Sequence, residues 1–281
     1  MANQKIFKQA PLPFVGQKRQ FLKHFEQVLN DNIPGNGDGW IIIDAFGGSG
    51  LLSHTAKQLK PKAHVIYNDF DGYAERLAHI DDINALRSQL YATVDNATPK
   101  NKRMTKECKA KCVKIIQEFD GYKDLNSLAS WLLFSGNQVS TLDELFSKDF
   151  WHCIRQSDYP KANGYLEGVE VIRESFHTLL PKHSDNPKAL FVLDPPYLCT
   201  KQESYKQARY FDLVDFLRLI HLTRPPYLFF SSTKSEFIRF IDAMVSDKWD
   251  NWQAFEEYQR ITLQTNANYN GRYEDNMVYK F

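Results

Sequence analysis

The sequence predicts an α/β fold: a mostly parallel sheet covered by helices on both faces, closed by an antiparallel C-terminal strand pair and split by a helical insertion. Three observations predict it. Short apolar runs alternate with segments of helical periodicity, the pattern of strand–helix–strand units. The first run, WIIIDAF, passes into GGSG and then into LLSHTAKQLK, which reads as strand, tight turn, helix. Val169 stands 100 positions after Asp69, where a crossover needs only roughly 25–35 residues.

The elements follow in order. GQKRQFLKHFEQVLN (16–30) sets Phe21, Leu22, Phe25, Val28 and Leu29 at helical spacing. DNIPGNGDGW is a loop rich in Gly, Asn and Asp. The first strand and its turn come next, and AHVIYNDFD forms a second strand ending in Asn68 and Asp69. From Gly72 to about Leu166 the pattern is mostly helical and polar. Residues 72–165 are therefore expected to form the insertion, with 1–71 and 166–281 making one domain around it. Val169–Ile172, Phe191–Asp194 and Tyr227–Ser231 read as three more short buried strands. FDLVDFLRLIHLT and KSEFIRFIDAMV supply helices, and WQAFEEYQRITL and DNMVYKF a closing strand pair.

Bulk properties bound the function. The chain has 281 residues and a mass of 32.7 kDa, which suits one large domain or a domain with an insertion. Hydrophobic residues make up 43% and aromatics 14%, enough for a real core. No apolar run approaches membrane-spanning length, and MANQKIFKQAPLPF has no secretory signal. Four cysteines make no disulfide framework in a chain this long, so a reducing cytoplasmic compartment is expected. Net charge is only +1, so a nucleic-acid partner needs a local basic face. PKNKRMTKECKAKCVK offers one: Lys100, Lys102, Arg103, Lys106, Lys109, Lys111 and Lys114 against the single acid Glu107. A solvated helix surface explains it equally well. Cys108 and Cys112 with His152 and Cys153 fit no standard zinc spacing, and no metal is expected.

Two strand ends carry the chemistry. In DAFGGSG (44–50), Gly47, Gly48 and Gly50 let the backbone turn sharply and a ligand approach it. No Gly-Lys-Ser/Thr follows, which disfavours a phosphate loop, and the spacing of a dinucleotide fingerprint is missing. Asp69, 25 residues after Asp44, is placed to take ribose hydroxyls, with Phe70 beside it to pack on the ligand. A helix-capping aspartate is the plain alternative. Together these point to an adenosine-containing ligand without pyrophosphate. In FVLDPPYLCT, Pro195 and Pro196 end the strand and stiffen the backbone. Asp194 then presents a carboxylate and Pro195 a carbonyl, two acceptors matched to the two N–H donors of an exocyclic amine. Tyr197 offers a face for stacking a planar base.

DPPY following DAFGGSG, with YND between, resembles the S-adenosylmethionine-dependent amino-methyltransferases, in particular the adenine-N6 DNA methyltransferases of the Dam-like, alpha-ordered type. PFVGQKR (13–19) and the tail RYEDNMVYKF are similar to that family's first and last short segments. The resemblance implies a Rossmann-like methyltransferase sheet, S-adenosylmethionine as cofactor and double-stranded DNA as partner. It implies that Phe14, Gly16, Lys18, Asp44, Phe46, Gly48, Gly50, Asp69, Phe70, Phe176 and Asp194 serve the cofactor. Asp194, Pro195, Pro196 and Tyr197 would be catalytic, acting on an adenine flipped from the duplex. Lys100, Lys102, Arg103, Lys106 and Lys109 would then contact DNA phosphates. Where the family often has an acid before the aromatic, this chain has Ser175; Ser175 and Glu174 both stand as acceptors for the cofactor's adenine amine. A cytosine N4, an RNA adenine or a protein amide are alternative targets, and a silent DNA-binding relative is the non-enzymatic reading.

Overall fold

The structure is a computed structural model describing residues 7–134, 137–197, 211–232, 236–268 and 271–281. Seven strands form one sheet: β1 (Ile41–Asp44), β2 (His64–Asn68), β3 (Val169–Ile172), β4 (Ala189–Leu193), β5 (Tyr227–Ser232), β6 (Gln259–Asn268) and β7 (Gly271–Lys280). Their spatial order is β3-β2-β1-β4-β5-β7-β6. The first five are parallel, and β7 runs antiparallel to both β5 and β6. The mostly parallel α/β sheet expected from the strand–helix alternation is therefore present, as is its antiparallel C-terminal strand. The β6–β7 hairpin explains the reversal, because its second strand returns alongside β5.

The sheet is buried on both faces, and side chains divide between them with period two. Ile42, Val65, Leu190, Val192, Leu228 and Phe230 face one core. Ile43, Ile66, Phe191, Leu193, Tyr227 and Phe229 face the other. Helix α1 (Leu22–Asn32) buries Leu22, Phe25, Val28 and Leu29, the stripe its spacing predicts. Helix α2 (Leu51–Leu59) makes the crossover from β1 to β2.

Between β2 and β3 the chain forms α3 (Tyr73–Ala78), α4 (Ile80–Val94), α5 (Lys106–Glu118), α6 (Leu125–Leu132) and α7 (Leu142–Ser147). Their apolar side chains, among them Leu86, Leu90, Cys112, Ile116 and Trp131, are continuous with the core on the α1 face of the sheet. The later helices are α8 (Phe176–Leu179), α9 (Leu213–Leu222), α10 (Phe237–Ser246) and α11 (Trp252–Phe255).

Two sequence expectations are corrected. Val169–Ile172 is a strand but not a buried one: it lies at the sheet edge, with Glu170 exposed and Val171 45% exposed. A strand at an edge has one neighbour, so apolar residues there need not be covered. The segment Trp252–Phe255, expected to begin a strand, is helical; Ala254 and Phe255 dock into the core before β6 starts at Gln259.

The strand order sets the site. β2 lies on one side of β1 and β4 on the other. Connections leaving β1 and β4 therefore part in opposite directions, and a crevice opens beyond their carboxyl ends.

Candidate active site

The glycine turn after β1 is held by its neighbours. A Cβ on Gly47 would stand 2.1 Å from Cδ2 of Tyr67, so only glycine fits. Gly48 has φ +49°, and a Cβ there would lie 2.9 Å from the Phe14 ring. The Tyr67 hydroxyl lies 2.7 Å from the Gly48 carbonyl oxygen and 3.0 Å from Asp69 Oδ1. Asn68 ties three segments together. Its Nδ2 donates to the carbonyls of Ala45 (2.9 Å) and Glu174 (2.8 Å), and its Oδ1 accepts from Glu174 N (2.9 Å). The ends of β1, β2 and β3 are thus one hydrogen-bonded unit.

The N-terminal segment closes the site from the insertion side. Leu12 N donates to the Tyr73 hydroxyl oxygen at 2.9 Å, and Tyr73 donates back to Leu12 O at 3.0 Å. Arg76 is buried; its Nη2 donates to Pro13 O at 3.0 Å, while its Nε and Nη2 grip both oxygens of Asp124 at 2.8 and 2.9 Å. Phe14 is thereby placed edge-on to Tyr73, with ring centroids 5.8 Å apart.

Asp194 follows β4 directly and pairs through Oδ2 with Lys18 Nζ at 2.6 Å. Lys18 also donates to Gly16 O at 3.0 Å and lies 5.4 Å from the Tyr197 ring centroid. Burial pushes the Asp194 carboxyl above its ordinary range, and the Lys18 ammonium opposes that rise. Asp44 sits behind the glycine turn, 1% exposed, its Oδ2 accepting from Ser53 Oγ at 2.6 Å. Burial pushes it up to about 7 against the Ser53 hydrogen bond.

These elements enclose a cavity of about 330 Å³, within the usual size of a small-molecule site. Of the residues expected at the cofactor, Phe14, Gly16, Phe46, Gly48, Phe70, Phe176 and Asp194 line it. Phe46 and Phe176 lie with ring centroids 5.4 Å apart. Pro196 of the DPPY segment also lines it. Four expected residues stand behind the wall instead. Lys18 reaches Asp194, Asp44 buttresses the turn, and Gly50 starts α2 at φ +69°. Asp69 is the fourth, and here the capping alternative describes the geometry. Its Oδ1 accepts from Tyr73 N at 2.6 Å and its Oδ2 from Ala74 N at 2.8 Å, capping α3. Asp71, two residues on, lines the cavity in its place.

Sequence reasoning missed Asp71, Asn68, His177, Phe211 and Asp215, which also line the cavity. Asp71 was legible in YNDFD as a second strand-end acid. Asp215 carries no local signal, since its segment reads as an ordinary amphipathic helix. It arrives through α9, where it forms a capping box with Asp212 and lies 3.4 Å from His177 Nε2. Ser175 and Glu174 both line the cavity. The Ser175 hydroxyl caps α8 by accepting from His177 N at 3.3 Å, and the Glu174 carboxylate pairs with Lys182 at 2.5 Å.

The basic run lies around α5. Lys100 Nζ donates to Ile154 O, and Lys109 Nζ to Lys148 O at 2.7 Å. Arg103 pairs with Asp149 at 2.5 Å, Lys111 with Glu107 at 2.8 Å and Lys114 with Glu118 at 3.8 Å. Lys102 and Lys106 are exposed. Cys108 and Cys112 are buried in the helical core, and among the described residues no cluster of metal-ligating side chains gathers. No described helix is long and apolar enough to cross a membrane.

The chain was compared with known proteins. A Haemophilus influenzae protein named "Putative methyltransferase" is 66% identical over 281 residues, covering 100% of this chain and 95% of that one. A solved structure described as "putative rRNA-methylase from Clostridium thermocellum" is 10% identical, covers 92% of this chain and 97% of its own, and has a TM-score of 0.35, too slight a likeness to bear on the fold. The family described as D12 class N6 adenine-specific DNA methyltransferase matches residues 14–214, from Phe14 of the cavity wall through the glycine turn and DPPY to the start of α9. The chain belongs to that family.

Proposed function

We propose that this protein transfers the methyl group of S-adenosylmethionine to the N6 amine of an adenine swung out of a specific sequence in double-stranded DNA. One observation carries the reading. Asp194, at the end of β4, faces the same cavity as the glycine turn at the end of the neighbouring β1. An acceptor for an amine and a cradle for a small cofactor are thus brought together at the switch point of the sheet.

The cavity suits the cofactor. Aromatic rings at Phe46, Phe70 and Phe176 can hold a planar base, and Asp71 and Asp215 can accept from hydroxyl or amine donors. Acidic lining also suits a cationic ligand. S-adenosylmethionine, when bound, supplies a methyl group on a positively charged sulfur. The remaining work falls to this chain. An adenine amine is a poor nucleophile because its lone pair is conjugated with the ring. Asp194 Oδ1 and the Pro195 carbonyl would accept hydrogen bonds from its two N–H groups, draw the nitrogen toward tetrahedral geometry and direct the lone pair at the methyl carbon. Lys18 on Oδ2 keeps the carboxylate ionised and fixed in rotation. Pro195 and Pro196 hold the two acceptors at set separation, and Tyr197 stacks on the extruded base. Positioning and charge placement are the whole of the protein's contribution. Residues 72–165 form the target-recognition part, and its exposed Lys102 and Lys106 add diffuse attraction for phosphates. Such an enzyme works where DNA is, in the cytoplasm of a bacterial or phage-infected cell.

The test is direct. Incubate the protein with labelled S-adenosylmethionine and unmethylated DNA, digest the product and identify the nucleoside. N6-methyladenine is expected. N4-methylcytosine, or transfer only to RNA or protein, would replace this reading with another amino-methyltransferase; tight DNA binding without product would make the chain a silent relative. Asp194→Ala is expected to abolish transfer while cofactor binding persists, and unchanged turnover would remove Asp194 from the mechanism.

A further inference from the structure

A second cleft, of about 410 Å³, opens between the N-terminal segment and the loop that leaves the insertion. Phe14 and Gly16 line both this cleft and the cofactor cavity, so the two adjoin across that segment. Its charged lining, among the described residues, is Arg19 and Arg155. Both arginines hydrogen-bond to neutral groups: Arg19 Nη1 to Gln9 Oε1 at 3.3 Å, and Arg155 Nη2 to Ser157 Oγ at 2.9 Å. Neither forms an ion pair among the described residues. Arg155 also stacks, its guanidinium carbon 4.1 Å from the Tyr159 ring centroid.

The loop carrying Arg155 is built rather than loose. Buried Arg87 donates through Nη1 to the carbonyls of Arg155 (3.1 Å) and Gln156 (2.9 Å), and through Nη2 to Asp158 at 2.6 Å. Asn84 Oδ1 accepts from Tyr159 N at 2.7 Å, and its Nδ2 donates to Tyr159 O at 3.0 Å. Trp131 Nε1 donates to the Tyr159 hydroxyl oxygen at 2.9 Å. A guanidinium held on a rigid platform loses little entropy when it binds an anion. The basic run around α5 is different: Lys100, Arg103 and Lys109 already bond within the protein.

We propose that this cleft binds the phosphodiester backbone of the target strand beside the extruded base, with Arg19 and Arg155 each engaging one phosphate. The planar fork of arginine matches a phosphate in bidentate fashion. A strand whose base sits in the cavity on one side of Phe14 and Gly16 would carry its neighbouring phosphates into the cleft on the other side, between the two arginines. The inference rests on the proposed DNA reaction.

The experiment binds fluorescent duplexes of mixed sequence to wild type, Arg19→Gln, Arg155→Gln and the double variant over a salt series, read by anisotropy. Cofactor affinity is measured alongside by calorimetry. Each single substitution is expected to reduce the slope of log affinity against log salt by about 0.9, and to weaken binding about five-fold at roughly 0.15 M salt. Cofactor affinity is expected to stay at the wild-type value, and Arg155→Lys to restore most of the slope. A double variant with wild-type slope and affinity overturns the cleft, while wild-type methylation of the same DNA leaves the reaction standing. Wild type that neither binds nor methylates any duplex overturns both. Should Arg155→Gln disturb its loop, seen as lost cofactor affinity, Arg19→Gln decides alone, and an unchanged slope there overturns the proposal.

Discussion

Among the described residues, Lys18 is the cation at hydrogen-bonding distance from Asp194, and replacing it by Met removes that charge. The Lys18 Nζ–Asp194 Oδ2 separation is 2.6 Å. At an effective dielectric near 20 this corresponds to an attraction of at most about 6 kcal/mol. The two side chains are 12% and 18% exposed, so residual solvent and the rotamer freedom lost by a long lysine side chain reduce that figure. A charge-assisted hydrogen bond is worth about 1.5–3 kcal/mol net. Without Lys18 the Asp194 carboxyl would therefore rise further above its ordinary range. Its direction is upward because burial already raises it and Lys18 opposes that rise. Only the ionised carboxylate leaves Oδ1 as a full acceptor for one amine N–H while the Pro195 carbonyl takes the other, so the acid limb of the rate profile should move to higher pH. Well above that limb, turnover should return toward wild type. The assay is the initial rate of methyl transfer from pH 5 to 9 at saturating cofactor, for wild type and Lys18→Met. An acid limb that stays in place, with cofactor affinity intact, would show that Lys18 does not set the ionisation of Asp194. The same substitution acts on stability. A buried carboxyl whose folded-state value is raised costs more stability as pH climbs from its unfolded value of about 3.8. Lys18→Met should therefore lose stability relative to wild type as pH rises through that window, not as it falls.

Three more outcomes are expected. Asp124→Ala leaves the buried Arg76 guanidinium without its carboxylate, at a cost of about 3–5 kcal/mol. For 281 residues that lowers the melting temperature by about 5–9 °C, checked by calorimetry; a change under 1 °C contradicts it. Gly47→Ala drives a methyl to 2.1 Å from the Tyr67 ring, costs about 1–3 kcal/mol of overpacking, and should weaken cofactor binding at least ten-fold, read by calorimetry. Asp44, pushed up to about 7, holds its proton in the fold where the unfolded chain has lost it, so wild-type stability should fall from pH 4 to 7 and level off above. Asp44→Asn should flatten that decline in denaturant titrations run across the same pH range.

The parts of the fold legible in the sequence were those written in local pattern. Ile41–Ile43 and Ala189–Leu193 are continuous apolar runs because both faces of a central parallel strand are covered. The glycine turn was legible because steric exclusion by Tyr67 leaves only one residue type. What escaped notice depends on topology. Whether an acid at a strand end meets a ligand or caps the next helix turns on a shift of two residues. Asp69 and Asp71 divided these roles in a way YNDFD does not reveal. Val169–Ile172 read as buried because composition does not record which strand lies at the edge. The basic run drew attention because its charges are adjacent in sequence, yet Asp149 and two backbone carbonyls neutralise or engage three of them from distant positions. Arg19 and Arg155 stand 136 positions apart, so only the fold could pair them.

The insertion is joined to the cofactor wall by bonds that leave little room for independent motion. Tyr73 and Arg76 of α3 hold the backbone of Leu12 and Pro13, and the same α3 is capped by Asp69 at the end of β2. Asp124, which caps α6, completes the pair with Arg76. Phe14 is thus suspended between the insertion and Gly48. Any shift of α3 relative to β2 must break a buried charge pair or leave peptide groups unsatisfied, at several kcal/mol. The methyl transfer proposed above, which aligns a donor in the cavity with an amine presented by the insertion, would need that stiffness. An ångström of slack between the two would erase the alignment that positioning catalysis depends on. The buried arginine is hard to justify as a stabiliser, since an apolar replacement of the pair would hold the fold as well. Its three directed hydrogen bonds specify where Pro13 must lie, and that is a service to the site rather than to the core.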